Sequence, residues 1–246
     1  MSQIIRIHAF AAVFSFGANQ AYAQNTLWKS YNSAGIKAYQ GEDYVAAERL
    51  FWAALDEAKH ASAGVDVKSN CFRNLATLYF VQKKYVKAEP YYRDGIQFYW
   101  QKLLGRKHPF LAQAHQDLGT IYHILSEKSE NKIERGNLLQ LAEANYLQVR
   151  KLLEENLGKN DPAIADTLSA LAELKYKQDR LPESEMMDRQ ALSIRRKALK
   201  PDDPRIADSY QSLGEKNYEQ GFYLECMPFF QRAWKIREKS LPEDSV

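Results

Sequence analysis

Chemistry in this chain of 246 residues would have to come from few and scattered side chains. Of five histidines, His8 lies in an apolar leader, His60 stands alone and His108 sits in a turn. Only His115 and His123 share a helix, two turns apart with Asp117 between them, and no third ligand follows at a fixed spacing, so they fall short of a metal site. There is no Gly-rich phosphate loop, His-Glu-x-x-His, Gly-x-Ser-x-Gly or Cys-x-x-Cys. The paired carboxylates carry no glycosidase spacing. Cys71 and Cys226 are too far apart in a stacked array to bridge, and read as buried small hydrophobes. Lys83-Lys84, Arg106-Lys107 and Arg195-Arg196-Lys197 are interrupted by acids, and a net charge of +3 gives no nucleic-acid footprint. The expectation is therefore no enzyme, no metal, no cofactor and no nucleic-acid partner. No apolar run reaches about 18 residues, so no integral membrane span is expected.

What the residues do carry is a repeat. Ala34-Gly35, Tyr44, Ala47, Phe51 and Ala54 form a pattern that returns as Leu75-Ala76, Tyr79, Tyr85, Ala88, Tyr92 and Gly95. It recurs as Leu118-Gly119, Tyr122, Ala142, Tyr146 and Val149, then as Leu171-Ala172, Leu181, Ser184, Asp188 and Ala191. A fifth copy reads Leu213-Gly214, Gly221, Tyr223, Cys226, Phe230 and Ala233. The steps from Gly35 to Ala76, Gly119, Ala172 and Gly214 are 41, 43, 53 and 42 residues. Apolar residues at three- and four-residue spacing place two helices in each unit. A small residue on the first helix lets the backbones approach, and an aromatic on the second fills the gap beside it. One such pair cannot cover both its faces, so the units must stack.

This pattern resembles the tetratricopeptide repeat family over roughly residues 28–240. The period near 42 and the turns Leu104-Gly105-Arg106-Lys107-His108-Pro109 and Leu157-Gly158-Lys159-Asn160-Asp161-Pro162 are similar to the kinesin-light-chain subclass. A third turn, Leu199-Lys200-Pro201-Asp202-Asp203-Pro204, lacks the glycine. The resemblance implies an all-α, right-handed solenoid of about five helix pairs. Departures fall mainly in unit four, where Asp188 replaces an aromatic and Pro182 starts the second helix, so that unit is expected to pack least well. Pro90 and Pro228 fall early in their second helices. In unit three, residues 126–136 are extra, polar and between the two helices, and read as a solvated loop, a short helical extension or a partner-recognition loop.

Residues 1–23 have the order of a secretory signal peptide: Arg6, an apolar stretch from Ala9 to Ala18, and Ala21-Tyr22-Ala23 before Gln24. Cleavage there would leave a repeat domain over residues 24–246, exported to a bacterial periplasm or outside the cell. The alternative is an uncleaved N-terminal helix on a cytoplasmic adaptor.

The family's first helices line its concave face, and the resemblance places there Lys29, Asn32, Ser33 and Ile36 of unit one. Unit two supplies Asn70, Arg73, Asn74, Thr77 and Phe80, and unit three Gln113, Gln116, Asp117, Thr120 and His123. Unit four supplies Asp166, Ser169, Glu173, Tyr176 and Lys177, and unit five Asp208, Gln211, Glu215, Tyr218 and Glu219. Asn and Gln can bond an extended backbone through donor and acceptor, and Arg73 and Lys29 can hold a carboxylate. The expected partner is a protein or an extended peptide segment, its acidic end at units one and two and its basic residues toward units four and five. The sequence does not fix an oligomeric state.

Overall fold

A computed structural model of the chain describes residues 27–60, 64–100, 105 and 108–240. The proposed leader at 1–23 lies outside them, as do Arg106 and Lys107 of the first inter-unit turn. Every element among the described residues is helical. Unit one is α1 (Leu27–Gln40) and α2 (Tyr44–His60). Unit two is α3 (Val65–Val81) and α4 (Tyr85–Asp94), which runs on as a π-helical segment (Gly95–Trp100). Unit three is α5 (Pro109–Lys128) and α6 (Lys132–Leu157), unit four α7 (Pro162–Lys177) and α8 (Leu181–Ala198), and unit five α9 (Pro204–Glu219) and α10 (Tyr223–Ser240). Each first helix packs on its own second helix, and each second helix on the first helix of the next unit. The result is an all-α solenoid of five pairs.

The small-over-aromatic contact is the joint within a unit. A Cβ at Gly35, Gly119 or Gly214 would lie 2.7, 2.7 or 2.8 Å from the ring of Phe51, Tyr146 or Phe230. Those glycines are therefore required by close approach, and in unit two the same repeat positions hold Ala76 and Tyr92, both buried. The turns between units end the preceding helix and cap the next. Gly158 has φ +83° after α6, and Asp161 then accepts the Ala163 N–H at 2.9 Å, with Pro162 at the first helical position. His108 and Asp203 cap Phe110 and Arg205 in the same way. The turns inside units use a left-handed residue, Glu42, Lys83, Asp179 or Gly221. There the next N–H reaches back to the helix, as from Lys84 to Tyr79 O and from Arg180 to Lys175 O.

Two expectations change, and one is narrowed. Of the readings open for residues 126–136 the structure shows a helical extension: α5 extends to Lys128, α6 begins at Lys132, and only 129–131 turn the chain. The tip is tied locally, with Asn131 capping Ile133 and Glu134, and Arg135 donating to Ser129 O. Pro90 is the sixth residue of α4, beyond its first turn, and α4 gives way to the π-helical segment soon after. That change of register folds the buried Trp100 over Gly95 and lets its indole donate to Ser69 O at 3.2 Å. Unit four is not poorly packed. Asp188 is buried because Lys216 of α9 enters the space an aromatic would fill, with Nζ 2.7 Å from Asp188 Oδ2 and 2.9 Å from Ser184 Oγ. Cys71 and Cys226 are buried free thiols, and burial pushes Cys71 up to about 11.

Candidate functional site

The five first helices lie side by side, and their own side chains join them. Asn74 Nδ2 donates to Asn32 Oδ1 at 2.7 Å between α3 and α1. The Arg73 guanidinium stands 5.5 Å over the Phe110 ring of α5. Lys177 of α7 pairs with Glu127 of α5 at 2.9 Å, and the Tyr176 hydroxyl donates to Glu219 of α9. These contacts make one continuous polar face from most of the residues expected there.

Within that face the side chains fall into three groups. Lys29, Asn32, Asn70, Arg73, Asn74, Thr77, Gln116, Thr120, Glu173 and Gln211 are half-buried. Arg73 donates to Asn70 Oδ1 at 2.7 Å, and partial burial lowers its pKa. Gln113, Asp166, Asp208, Glu215 and Glu219 are exposed. Asp117 belongs to neither group. It is buried at the junction of units two and three, accepting from the Tyr92 hydroxyl at 2.7 Å and Gln113 Nε2 at 2.8 Å. His115 and His123 do not converge: His115 Nδ1 lies 2.8 Å from Asn145 Oδ1 of α6, and burial lowers the pKa of both imidazoles. No group of three metal-ligating side chains exists among the described residues.

The charge separation expected along the face is weaker than the first helices alone suggest. Arg195 of α8 pairs with Asp166 at 2.7 Å, Arg237 of α10 pairs with Asp208 at 2.9 Å, and Lys177 lies 3.5 Å from Glu173. Glu215 accepts from neutral Gln211 and Glu219 from neutral Tyr176, so the acid excess of unit five rests on these two.

Several residues that shape this face stand outside the pattern of small and aromatic positions. Glu48, Glu89 and Glu143 occupy one repeat position, just after the small residue of the second helix. They accept from Tyr79 (2.8 Å), Tyr122 (2.7 Å) and Lys175 of the following unit. This ladder sets the spacing of successive first helices, and its signal in the sequence is a Glu recurring with the repeat period. Beside it, a cavity of about 360 Å³ lined by Ser126, Glu127, Arg135, Leu139 and Lys177 opens where the long helices of unit three meet α7.

Asp117 yields a test of this geometry. Burial raises its carboxyl to about 6 from an ordinary 3.8, against the hydrogen bonds that favour the anion. A raised carboxyl means that the folded state holds the proton more tightly, so this site's contribution falls as pH rises from about 4 to 6 and is flat above. Asp117→Asn, which can still accept from Gln113 and donate to the Tyr92 oxygen, should flatten that dependence. Urea midpoints should favour Asn at pH 7 by up to about 3 kcal/mol and by much less at low pH.

The family model described as "Tetratricopeptide repeat" matches residues 68–131, 125–197 and 164–239. No curated protein matches the sequence. Among solved structures, BtubC (BKLC) from P. vanneervenii is similar at 19% identity and a TM-score of 0.66, over 89% of this chain and 84% of that one. A putative kinesin light chain of Podosopora anserina with nearly identical TPR-like repeats gives 15%, 0.68, 90% and 100%. MamA gives 17%, 0.61, 89% and 96%. At these identities the likeness is one of fold. The comparisons also correct the expectation of export: they reach only the repeat fold and give it no support, and the signal and periplasmic assignments are dropped.

Proposed function

The chain belongs to the tetratricopeptide repeat family, and from that premise we propose that its polar face of first helices binds an extended protein segment whose carboxylate-bearing end meets units one and two. Its role as an interaction scaffold follows from the family; the ligand and its direction are the proposal. The observation that carries it is the half-buried cluster at the junction of units one to three. Arg73 is held over Phe110 and steadied by Asn70, and Asn32 and Asn74 are bonded to each other. A guanidinium fixed in this way has lost much of its rotamer freedom before a ligand arrives, and burial strengthens any charge-assisted bond it makes. The two amides keep donor and acceptor sites for an extended backbone. Of the two settings considered from the sequence, the comparisons favour a cytoplasmic adaptor over an exported one.

The test is selection from a random-peptide library on the intact protein, with the double variant Arg73→Ala, Asn74→Ala in parallel. Peptides enriched on the native face should carry acidic or free C-terminal carboxylates and lose tenfold or more in affinity on the variant, a loss of about 1.4 kcal/mol or greater. The same peptides retained at equal affinity would count against this face.

Direction has its own readout. With Glu215 and Glu219 both changed to Gln, peptides with basic residues toward unit five should associate more slowly. The difference should fade at high salt, since exposed charges act over about 10 Å at 0.1 M. Association rates that respond neither to salt nor to the double change would leave the binding without a direction.

A further inference from the structure

The last helix among the described residues, α10, exposes a flank that the earlier units cover. In units one, two, four and five the position eight residues after the small residue of the second helix holds Leu55, Ile96, Leu192 and Trp234. Leu55 and Ile96 are 2% and 6% exposed, and Leu192 packs against the core of unit five, whereas Trp234 is 61% exposed. At the glutamate-ladder position on the same flank stands Met227, 53% exposed, where the four preceding units have Glu48, Glu89, Glu143 and Glu185. Tyr223, also exposed, continues the stripe with its ring 5.2 Å from Tyr218. Residues 223, 227 and 234 share one side of a helix, and it is the side on which inner units receive their neighbour.

The opposite end of the array is not the complement of this flank. The α9 residues that face α8 are Ser209, Ser212 and Lys216. Their repeat equivalents in α1 are Ser30, Ser33 and Lys37, all exposed, and the ladder donor position there is Ala38. Stacking α1 of one copy on α10 of another would bury two hydroxyls and an ammonium against Met227 and Trp234 without partners, which is costly. The flank does match itself. Its exposed charged residue, Glu238, lies toward the end of α10, while its start carries Tyr223 and Met227. A parallel pairing of two such helices would set Glu238 against Glu238. An antiparallel pairing centred between Phe230 and Gln231 avoids that clash. It sets Met227 of each copy against Trp234 of the other, and brings the Tyr223 hydroxyl, a donor, opposite the Glu238 carboxylate.

We propose that this protein forms a two-fold dimer through the outer flank of α10, antiparallel, with Met227 and Trp234 at its centre. The dimer leaves the faces of the first helices open, one in each copy.

Sedimentation velocity of the intact chain over a wide concentration range tests this. The native protein should sediment with twice the chain mass. Trp234→Glu should weaken association by about tenfold or more with an unchanged helical circular dichroism spectrum, because it places a carboxylate in an apolar contact. Adding Met227→Lys to Trp234→Glu should recover part of that loss, since only the antiparallel contact brings the two positions together. Gln231→Cys, beside the two-fold axis, should form an intermolecular disulfide faster than Glu238→Cys, which the antiparallel arrangement holds far from its own copy; the two native thiols are buried. A monomer at all concentrations, a dimer indifferent to Trp234→Glu, open-ended higher assemblies, no recovery in the double variant, or cross-linking at position 238 as fast as at position 231 would each overturn the proposal.

Discussion

Replacing Asp188 by alanine is expected to destabilise the protein by about 3–5 kcal/mol, the cost of leaving a buried cation without its counter-charge. Lys216 reaches Asp188 from the next unit, and both are nearly sealed from solvent. Burial raises the Asp188 carboxyl and the Lys216 ammonium opposes that rise, so the pair holds its charges through mutual proximity. Without the carboxylate, Lys216 keeps only the Ser184 hydroxyl, while its ammonium stands 5.6 Å over the Tyr176 ring. The destabilisation should be directional along the array. Hydrogen exchange should show unit five opening first, since it is held to the rest across this junction. Replacing both partners, Asp188→Leu with Lys216→Met, should recover most of the loss, because an apolar pair of similar volume has no charge to desolvate. Urea denaturation of the two variants decides the matter. A double variant as unstable as Asp188→Ala would show that packing, not the unpaired charge, sets the cost.

The second large effect is expected at Trp100. Trp100→Ala should cost about 3–5 kcal/mol, as for large core aromatics. Its ring fills the space over Gly95 and meets Tyr92 and Phe110 with centroids at 6.1 and 5.0 Å. Phe110 also carries Arg73, so the loss should reach the polar face proposed to bind the peptide. The signature to seek is a fall in peptide affinity at a temperature where circular dichroism still reports full helix. Trp100→Phe should keep most of the packing and leave Ser69 O without its indole donor, a cost of about 1–3 kcal/mol. Full affinity in a folded Trp100→Ala protein would separate the core of unit two from the face above it.

Asp188 and Trp100 also mark where sequence alone stops being legible. The glycine-aromatic pairs can be read because close approach demands a particular residue at a fixed spacing, and the Asp-Pro and His-Pro turns because capping does too. The face itself follows from helical phase, and its residues lie at the surface of the first helices apart from Asp117. Asp117 departs from that pattern because its burial depends on Tyr92, 25 residues away, a contact between units rather than within one. Asp188 looks like a defect for the same reason: its compensation comes from Lys216 in another repeat. The insertion in unit three reads equally as a loop or as a helical extension because it is polar. A helix that projects beyond its neighbours needs no apolar stripe there, and Ser129, Asn131 and Glu134 supply the bonds that close its tip. Trp100 hides from the repeat pattern because a π-helical register shifts the inward-facing positions by one residue.

The ladder of glutamates bears on how such an array lengthens. Units two and three each carry both halves of the joint, a donor on the first helix and an acceptor on the second, as Tyr79 with Glu89 or Tyr122 with Glu143. A tandem duplication of unit two or three would therefore regenerate a complete joint on both sides of the new copy. Duplicating unit five would not. Its Asn217 is turned back on its own helix at Leu213 O, and Met227 offers no acceptor. Copying unit one would bring Ala38 to the seam. Lengthening of such an array by gene duplication is thus easiest through copies of unit two or unit three, which bring a matched donor and acceptor with them.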